Sequence, residues 1–163
     1  MQAGYSILEN GKTPPAGGIG EDCLENYFHV RMDKREVDAV SALGLAHLGD
    51  GVFELLVRAR LCTAGRTSQT ALHRETVRQV SAAAQAARVE RLLPLLSEEE
   101  RGYYHRGRNA HPHHSVPRGA SPQQYARASG LETLFGALYL LGRRDRLNEL
   151  FNLTMDTEED HAP

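Results

Sequence analysis

Three acidic residues stand out because they interrupt apolar stretches of the sequence. Asp50 and Glu54 fall within a run rich in Leu and Val, and Glu132 falls within the apolar segment 131–141. A carboxylate in a stretch that should be buried is costly unless it is paired or binds a metal ion. The i, i+4 spacing of Asp50 and Glu54 would put both carboxylates on one side of a helix. Spacing alone favours a structural role, in which Asp50 caps a helix after Gly49 and Glu132 pairs with an arginine.

A basic segment separates Glu100 from Glu132, since no acidic residue occurs between them. The net charge of −2 hides this segment, because residues 1–30 sum to −3, residues 154–163 to −4 and the middle of the chain to +5. The excess positive charge is almost entirely arginine, whose planar guanidinium matches two phosphate oxygens at once. Charge alone leaves two interpretations open, a polyanion-binding surface and a solvated loop. The basic residues of the segment are Arg101, His105, Arg106, Arg108, His111, His113, His114, Arg118 and Arg127.

The acids and the basic segment together indicate a specific chemistry. Carboxylate oxygens on two facing helices are suitable ligands for Mg²⁺, for which Mn²⁺ could substitute, and arginines beside them can hold a phosphate backbone. The metal ion would activate a water molecule and stabilise the leaving oxygen. Asp50 and Glu132 are therefore candidates for metal-assisted hydrolysis of a phosphodiester.

Hydrophobic periodicity predicts that helices position these residues, and no segment shows the alternation typical of a strand. The expected fold class is therefore all-α. Asp33 and Glu36 form a capping-box pattern at the start of a first helix, which Gly49 is expected to interrupt. Asp50 would then open a second helix, and Gly65 would end it. Further helices are expected from Ser68 to near Pro94, from Ser97 to near Gly107, from Gln123 to Leu141 and from Arg144 to Phe151, with a long loop over 108–122.

The chain is expected to form one domain with two tails. Residues 1–25, rich in Gly and Pro, are predicted to be a flexible tail, residues 26–153 the catalytic domain and residues 154–163 an acidic tail. Two lone cysteines, Cys23 and Cys62, exclude a disulfide scaffold and fit a reducing compartment. No apolar run approaches the ~20 residues needed to cross a bilayer, and no signal-peptide pattern is present. A cytoplasmic protein without a membrane partner is expected.

Five segments resemble the ribonuclease III superfamily, and most closely its minimal members, the mini-ribonucleases III. The first segment is LGLAHLGDGVFELLVRARL (43–61), which carries the glycine–aspartate signature around Asp50. The others follow in the expected order, so that the resemblance covers residues 26–152. They are VSAAAQA (80–86), LSEEER (96–101), RGRNA (106–110) and QYARASGLETLFGALYL (124–140).

The resemblance implies an all-helical ribonuclease III-type endonuclease domain that acts as a homodimer on double-stranded RNA, without a separate double-stranded-RNA-binding domain. Each active site would cut one strand and leave a 5′ phosphate and a 3′ hydroxyl. In Gram-positive bacteria the family is associated with maturation of the 23S ribosomal RNA precursor. Two alternatives stay open: a ribosome-associated protein that binds RNA on the same fold without cutting it, and an all-helical protein-interaction module. The presence of Asp50 and Glu132 counts against the first of these.

The resemblance also implies roles for individual residues. Asp50 and Glu132 correspond to the essential aspartate and glutamate of the family, which are catalytic metal ligands. Ala46 and Ser129 occupy positions where full-length enzymes carry further acids, which leaves open whether a second metal binds. Glu54 and Ser129 are expected to support the ligands from outside the coordination sphere of the metal. The residues expected to contact RNA are His73, Arg74, Arg78, Arg106, Arg108, Asn109, Arg118 and Arg127.

A histidine cluster in the long loop has several interpretations. His111, His113 and His114 stand where relatives tend to have lysine, serine and glycine. They could bind a transition metal, make a pH-sensitive phosphate contact or lie solvated at the surface. No acid or cysteine lies in the loop to complete a metal site, which favours the last two interpretations.

Overall fold

The computed structural model describes residues 26–65, 68–110 and 120–155. All regular structure in these ranges is helical, which confirms the all-α fold class. Two short 3₁₀ turns lie at Tyr27–His29 and Leu93–Leu95. The α-helices are α1 Lys34–Ala39, α2 Ala42–Thr63, α3 Gln69–Val80, α4 Ala82–Leu92, α5 Glu98–Arg108, α6 Pro122–Leu140 and α7 Arg144–Met155.

Helix α6 forms the centre of the core and is surrounded by α2, α4, α5 and α7. Its residues from 128 to 138 are all buried except Glu132, as expected of a helix that is apolar on nearly every side. Phe53 of α2 meets Phe135 of α6 edge to face, with ring centroids 5.4 Å apart, and meets Phe151 of α7 at 5.7 Å. These rings join three helices and fix α2 against α6.

Two glycines let the backbones of α2 and α6 touch. A Cβ atom on Gly49 of α2 would lie 1.7 Å from the Glu132 carbonyl oxygen, and one on Gly136 of α6 would lie 2.1 Å from the Leu45 carbonyl oxygen. No residue with a side chain fits either position, because the facing atoms are backbone. The crossing point of the two helices is therefore set by Gly49 and Gly136.

A second glycine contact sets α5 against the same central helix. A Cβ atom on Gly107 of α5 would lie 2.1 Å from the Thr133 hydroxyl oxygen, and one on Gly130 of α6 would lie 2.6 Å from the Tyr104 ring. The Thr133 hydroxyl also lies 3.2 Å from the Ala42 carbonyl oxygen, to which it donates. The start of α2 and the end of α5 are thus tied to α6 at one level of the core.

The first helical boundary differs from the prediction. The chain breaks at Val40, which is extended with φ −69° and ψ 134°, and not at Gly49. Ser41 then caps α2, because its hydroxyl accepts a hydrogen bond from the Gly44 N–H at 3.0 Å. Gly49 lies inside α2, where its missing side chain serves packing and not helix termination. Asp50 is consequently an internal helical residue, and the alternative that it caps a helix is wrong.

The single helix predicted from Ser68 to near Pro94 is in fact two helices, α3 and α4. Ser81 separates them with an extended backbone, φ −61° and ψ 145°, and its hydroxyl caps α4 by accepting from the Ala84 N–H at 3.3 Å. The apolar pattern continues across the break, since α3 packs on α2 and α4 packs on α6 in the same core. Periodicity alone therefore does not reveal the break.

The remaining boundaries lie close to the prediction. Capping boxes begin α5 after Ser97 and α6 after Ser121. Helix α7 continues to Met155, which is buried, so the helical domain extends two residues beyond the boundary predicted at 153. None of the described helices is long and apolar enough to cross a membrane. The predicted N-terminal tail, most of the long loop and the rest of the acidic tail lie outside the described residues, at 1–25, 111–119 and 156–163.

Gly49→Ala should destabilise the protein strongly. The new methyl group would overlap the Glu132 carbonyl oxygen at 1.7 Å, so the two helices would have to move apart. Overpacking in a core costs about 1–3 kcal/mol and more where the backbone must shift. We expect a loss of about 3 kcal/mol in the free energy of unfolding, measured by urea denaturation with circular dichroism.

Gly51→Ala is the matched control, since Gly51 lies on the same helix and a Cβ atom there would meet nothing within 4 Å. Alanine is a better helix former than glycine by about 1 kcal/mol, so this variant should be at least as stable as the wild type. Equal stability of the two alanine variants would show that α2 and α6 do not touch at Gly49.

Candidate active site

Asp50 and Glu132 lie together at the crossing of α2 and α6. The carbonyl oxygen of Glu132 is the atom closest to Gly49, so Asp50, the next residue along α2, stands beside Glu132 on α6. The carboxyl groups interact, because the charge of Asp50 raises the pKa of Glu132. The structure thus brings together the two residues that the sequence nominates as metal ligands.

Glu132 is the more buried carboxyl group of the pair. Burial raises its pKa to about 7, with the charge of Asp50 as the second cause, whereas a hydrogen bond from Gln85 lowers it. The pKa of Asp50 is also raised, first by partial burial and then by Glu54, while His47 lowers it. In the ranges that the structure describes, no arginine pairs with Glu132. Two neighbouring carboxyl groups with raised pKa values form a site short of positive charge.

Sequence reasoning missed Gln85, the third polar side chain at this crossing. It is fully buried on α4, and its amide lies against the Glu132 carboxyl group. Its Nε2 donates to the Val80 carbonyl oxygen at 3.3 Å, whereas its Oε1 has no partner among the described residues. The available signal was one long polar side chain in the run VSAAAQA, where every other residue is small or apolar.

The residues expected to support the metal ligands have partners of their own. Glu54 lies one turn after Asp50 and accepts a hydrogen bond from the Arg58 Nε at 2.8 Å. Ser129 is buried at the α5–α6 crossing, where its carbonyl oxygen accepts from the Thr133 hydroxyl at 2.7 Å. Glu54 acts on Asp50 through its charge. Among the described residues, no hydrogen bond joins the Ser129 side chain to either ligand.

Two of the arginines expected to contact RNA are held by the protein itself. The Arg106 guanidinium donates to the carbonyl oxygens of Val40 at 2.8 Å and of Asp38 at 3.3 Å, and so closes the end of α1. Arg127 of α6 forms an ion pair with Glu90 of α4. Both guanidinium groups stay partly exposed. A phosphate contact by either arginine would use the N–H groups that these partners leave.

The other expected RNA contacts divide between two helices. Arg108 and Asn109 are exposed at the end of α5, and His73 and Arg74 are exposed on α3. Arg78 on α3 is exposed but engaged in an ion pair on its own helix. Their roles in binding RNA stay predictions. The candidates that lie outside the described residues are Arg118 and the histidines His111, His113 and His114.

Comparison with known families identifies the domain. The family model described as "Ribonuclease III domain" matches residues 43–143, which include both Asp50 and Glu132. The chain belongs to the ribonuclease III family. A Mini-ribonuclease 3 from Symbiobacterium thermophilum is 44% identical over 114 residues, which cover 70% of this chain and 87% of that protein. A Mini-ribonuclease 3 from Synechocystis is 46% identical over 121 residues, which cover 74% of this chain and 82% of that protein.

A solved structure has a similar fold. The X-ray crystal structure of protein FN1578 from Fusobacterium nucleatum is similar with a TM-score of 0.67 and 27% identity, over 74% of this chain and 95% of that one. The curated relatives and the family model confirm the resemblance to the mini-ribonucleases III, and the family model with this structural neighbour confirms the ribonuclease III-type helical domain.

The residues at the α2–α6 crossing of this ribonuclease III family member fit a divalent cation. The donors are the carboxylates of Asp50 and Glu132, hard oxygen ligands of the kind that Mg²⁺ and Mn²⁺ take. A bound cation would favour the ionised forms of the two carboxyl groups, whose pKa values are otherwise raised. A water molecule of its hydration shell would donate to the partnerless Gln85 Oε1. The described ranges contain no group of three or more His, Cys, Asp or Glu that could hold a metal.

Sequence reasoning also missed an arginine cluster formed by three helices of the ribonuclease III domain. At its centre, the Arg88 guanidinium donates to the Gln79 carbonyl oxygen at 2.6 Å. Burial, followed by the charges of neighbouring arginines, lowers the pKa of Arg88 to about 10. Positive charges gathered in this way attract anions. No sequence pattern links the arginines of this cluster, because they lie on three separate helices, α2, α3 and α4. The neighbours are Arg60, Arg78 and Arg91.

Glu132→Gln should stabilise the metal-free protein at high pH. A carboxyl group whose pKa rises from 4.5 to about 7 on folding holds its proton more tightly in the folded state. The wild type therefore loses stability as the pH rises from 4.5 to about 7, and the glutamine variant does not. We expect the advantage of the variant in free energy of unfolding to grow from near zero at about pH 4 to about 2–3 kcal/mol at about pH 8, measured by urea denaturation in EDTA.

Glu90→Gln is the matched control, since Glu90 is an exposed carboxylate paired with Arg127. Surface ion pairs contribute about 0–1 kcal/mol, so this variant should stay within about 1 kcal/mol of the wild type at every pH. A pH-independent difference between Glu132→Gln and the wild type would contradict the raised pKa of Glu132.

Proposed function

We propose that this ribonuclease III family member hydrolyses double-stranded RNA with Mg²⁺, for which Mn²⁺ can substitute. As a member of that family the chain is an endoribonuclease. The observation that carries the proposal is the placement of Asp50 beside Glu132 at the crossing of α2 and α6. These two carboxylates are the proposed metal ligands and catalytic residues.

The two carboxylates differ in what they contribute. Glu132 is half-buried and lies against the Gln85 amide, so it is a fixed ligand. Asp50 is exposed on α2, so an RNA backbone can reach it from solvent. A bound divalent cation supplies Lewis acidity to the scissile phosphate and makes water a nucleophile near neutral pH. No side chain forms a covalent bond with RNA in this reaction, whose products are a 5′ phosphate and a 3′ hydroxyl.

The proposal includes a homodimer, because each protomer carries one pair of Asp50 and Glu132 and a duplex has two strands to cut. Two protomers related by a two-fold axis present two equivalent sites, as the two strands of a duplex present two equivalent backbones. Each site then cuts one strand. The cellular substrate that we propose is the 23S ribosomal RNA precursor in the cytoplasm, on the strength of the resemblance to the mini-ribonucleases III.

The RNA backbone is proposed to contact basic residues on several helices. His73, Arg74 and Arg108 are exposed, and the arginines around Arg88 add positive charge beside α3. Duplex RNA in the A form is recognised mainly by shape, phosphates and 2′-hydroxyls, so these contacts give little sequence preference. Affinity should fall steeply with salt, because neutralising phosphates releases counterions.

Asp50→Asn should abolish cleavage and leave binding of duplex RNA intact. An amide is a neutral and weaker ligand than a carboxylate, so the divalent cation is lost while the basic surface is unchanged. We expect the rate of Mg²⁺-dependent cleavage of a labelled duplex to fall about 1000-fold, which corresponds to about 4 kcal/mol of activation free energy. The same duplex in EDTA reports binding by gel shift.

Glu149→Gln is the matched control, since Glu149 is an exposed carboxylate on α7 that binds Arg146 at 2.9 Å. This variant should cut at the rate of the wild type. Retained cleavage in Asp50→Asn would contradict the catalytic assignment. A wild type that binds duplex RNA without cutting it would favour the non-catalytic RNA-binding protein, and a wild type that does neither would favour a protein-interaction module.

Mixed dimers test whether each site cuts one strand. When wild type is mixed with a tenfold excess of Asp50→Asn and subunits exchange, nearly all wild-type protomers pair with a mutant protomer, so nearly all remaining active sites lie in heterodimers that have one active site. Such heterodimers should nick one strand. The product should run as full-length duplex on a native gel and release cut strands on a denaturing gel. Sedimentation of the wild type as a monomer that still cuts both strands at once would contradict the dimer.

A further inference from the structure

Gln85 has a buried polar side chain, and the reaction proposed above assigns no role to it. It is 0% exposed and lies on the face of α4 that packs against α6. Long polar side chains are seldom fully buried, because each polar atom removed from water needs a partner. The position of Gln85 beside Glu132 therefore requires an explanation.

The neighbours of Gln85 fix the orientation of its amide group. Nε2 donates to the Val80 carbonyl oxygen at 3.3 Å and also lies against the Glu132 carboxyl group. Both neighbours are acceptors, so turning the amide over would set its oxygen against two other oxygens. Oε1 consequently points away from them, and it has no hydrogen-bond partner within the described residues.

A partnerless buried acceptor is unfavourable by about 1–3 kcal/mol. Packing at position 85 does not require an acceptor atom, since methionine has nearly the same length and volume as glutamine and lacks this oxygen. The residues around Gln85 in the run 80–86 are small or apolar, so an apolar side chain would suit this stretch of α4. The amide is therefore present for what it binds and not for the volume that it fills.

We propose that Gln85 is a positioning residue for the metal site, which holds the Glu132 carboxylate towards Asp50 through Nε2 and accepts a hydrogen bond from a water molecule through Oε1. The inference rests on the proposed function and deepens it. Val80 is the last residue of α3, so the same amide also ties the α3–α4 break to the site. The break places Gln85 in the first turn and a half of α4, where it reaches α6.

Gln85→Met tests the proposal, because it removes both the donor and the acceptor and keeps the length of the side chain. Residues that support metal ligands typically change metal affinity about 10–100-fold when they are lost. We expect the dissociation constant for Mn²⁺, measured on the RNA-free protein by electron paramagnetic resonance, to rise at least about tenfold. We also expect kcat to fall while KM for duplex RNA stays unchanged, since the RNA-binding residues lie elsewhere.

Gln79→Met is the matched control. Gln79 is also a buried glutamine, but its amide donates to Glu75 at 2.7 Å and its oxygens accept from Arg88 on a different part of the core. Its Mn²⁺ affinity should stay within about twofold of the wild type, whatever its melting temperature. A comparable loss of affinity in Gln79→Met would overturn the proposal, because the effect would then follow from disturbing the core.

The decisive outcome is the Mn²⁺ affinity of folded Gln85→Met. Affinity within about twofold of the wild type would overturn the role of Gln85 while leaving the proposed function in place. If this variant does not fold by circular dichroism, Gln85→Asn replaces it, since asparagine keeps the amide but withdraws it by one methylene, and the same criterion applies. A wild type that neither binds Mn²⁺ nor cuts duplex RNA would instead remove the proposed function and this inference with it.

Discussion

The contact between the backbones of α2 and α6 is the constraint on which the rest of the structure depends. Gly49 and Gly136 bring carbonyl oxygens of one helix to within the space that a Cβ atom of the other would occupy. No side chain lies between the helices at this point, so their relative position is set to a few tenths of an ångström. Asp50 and Glu132 lie next to this contact, so the contact fixes the separation of the two carboxylates.

The site is built into the core at an energetic cost. Helix α6 is buried along most of its length, and Glu132 interrupts it with a carboxyl group whose pKa is raised to about 7. Gln85 adds a buried oxygen without a partner. A fold selected only for stability would have apolar residues at both positions, so the conflict between local stability and polar content supports the proposed active site at this place. The surrounding glycine and phenylalanine contacts hold these groups in place in spite of that cost.

Arginine serves two purposes in this protein. Arg106 closes the end of α1 and Arg127 links α6 to α4, although the sequence presents both simply as part of a basic segment. Arg88 and its arginine neighbours come from separate helices and concentrate positive charge on one region, although Arg88 and Arg78 are themselves bound to protein oxygens. Charge counted along the chain therefore overstates the contribution of some arginines to a polyanion surface and misses others, because a guanidinium already bound to a carbonyl or carboxylate has fewer N–H groups to offer.

Local chemistry in the sequence by itself determined the helical fold class and the starts of α5 and α6, and it nominated both carboxylates as candidate ligands. Capping boxes and a charged residue in an apolar run act within a few residues, so they can be read without a partner helix. Only the tertiary structure decided that α2 runs through Gly49, that a break falls at Ser81 and that Gln85 meets Glu132. Each of these depends on which surfaces meet in the core, and the apolar pattern of one helix does not specify the helix against which it packs.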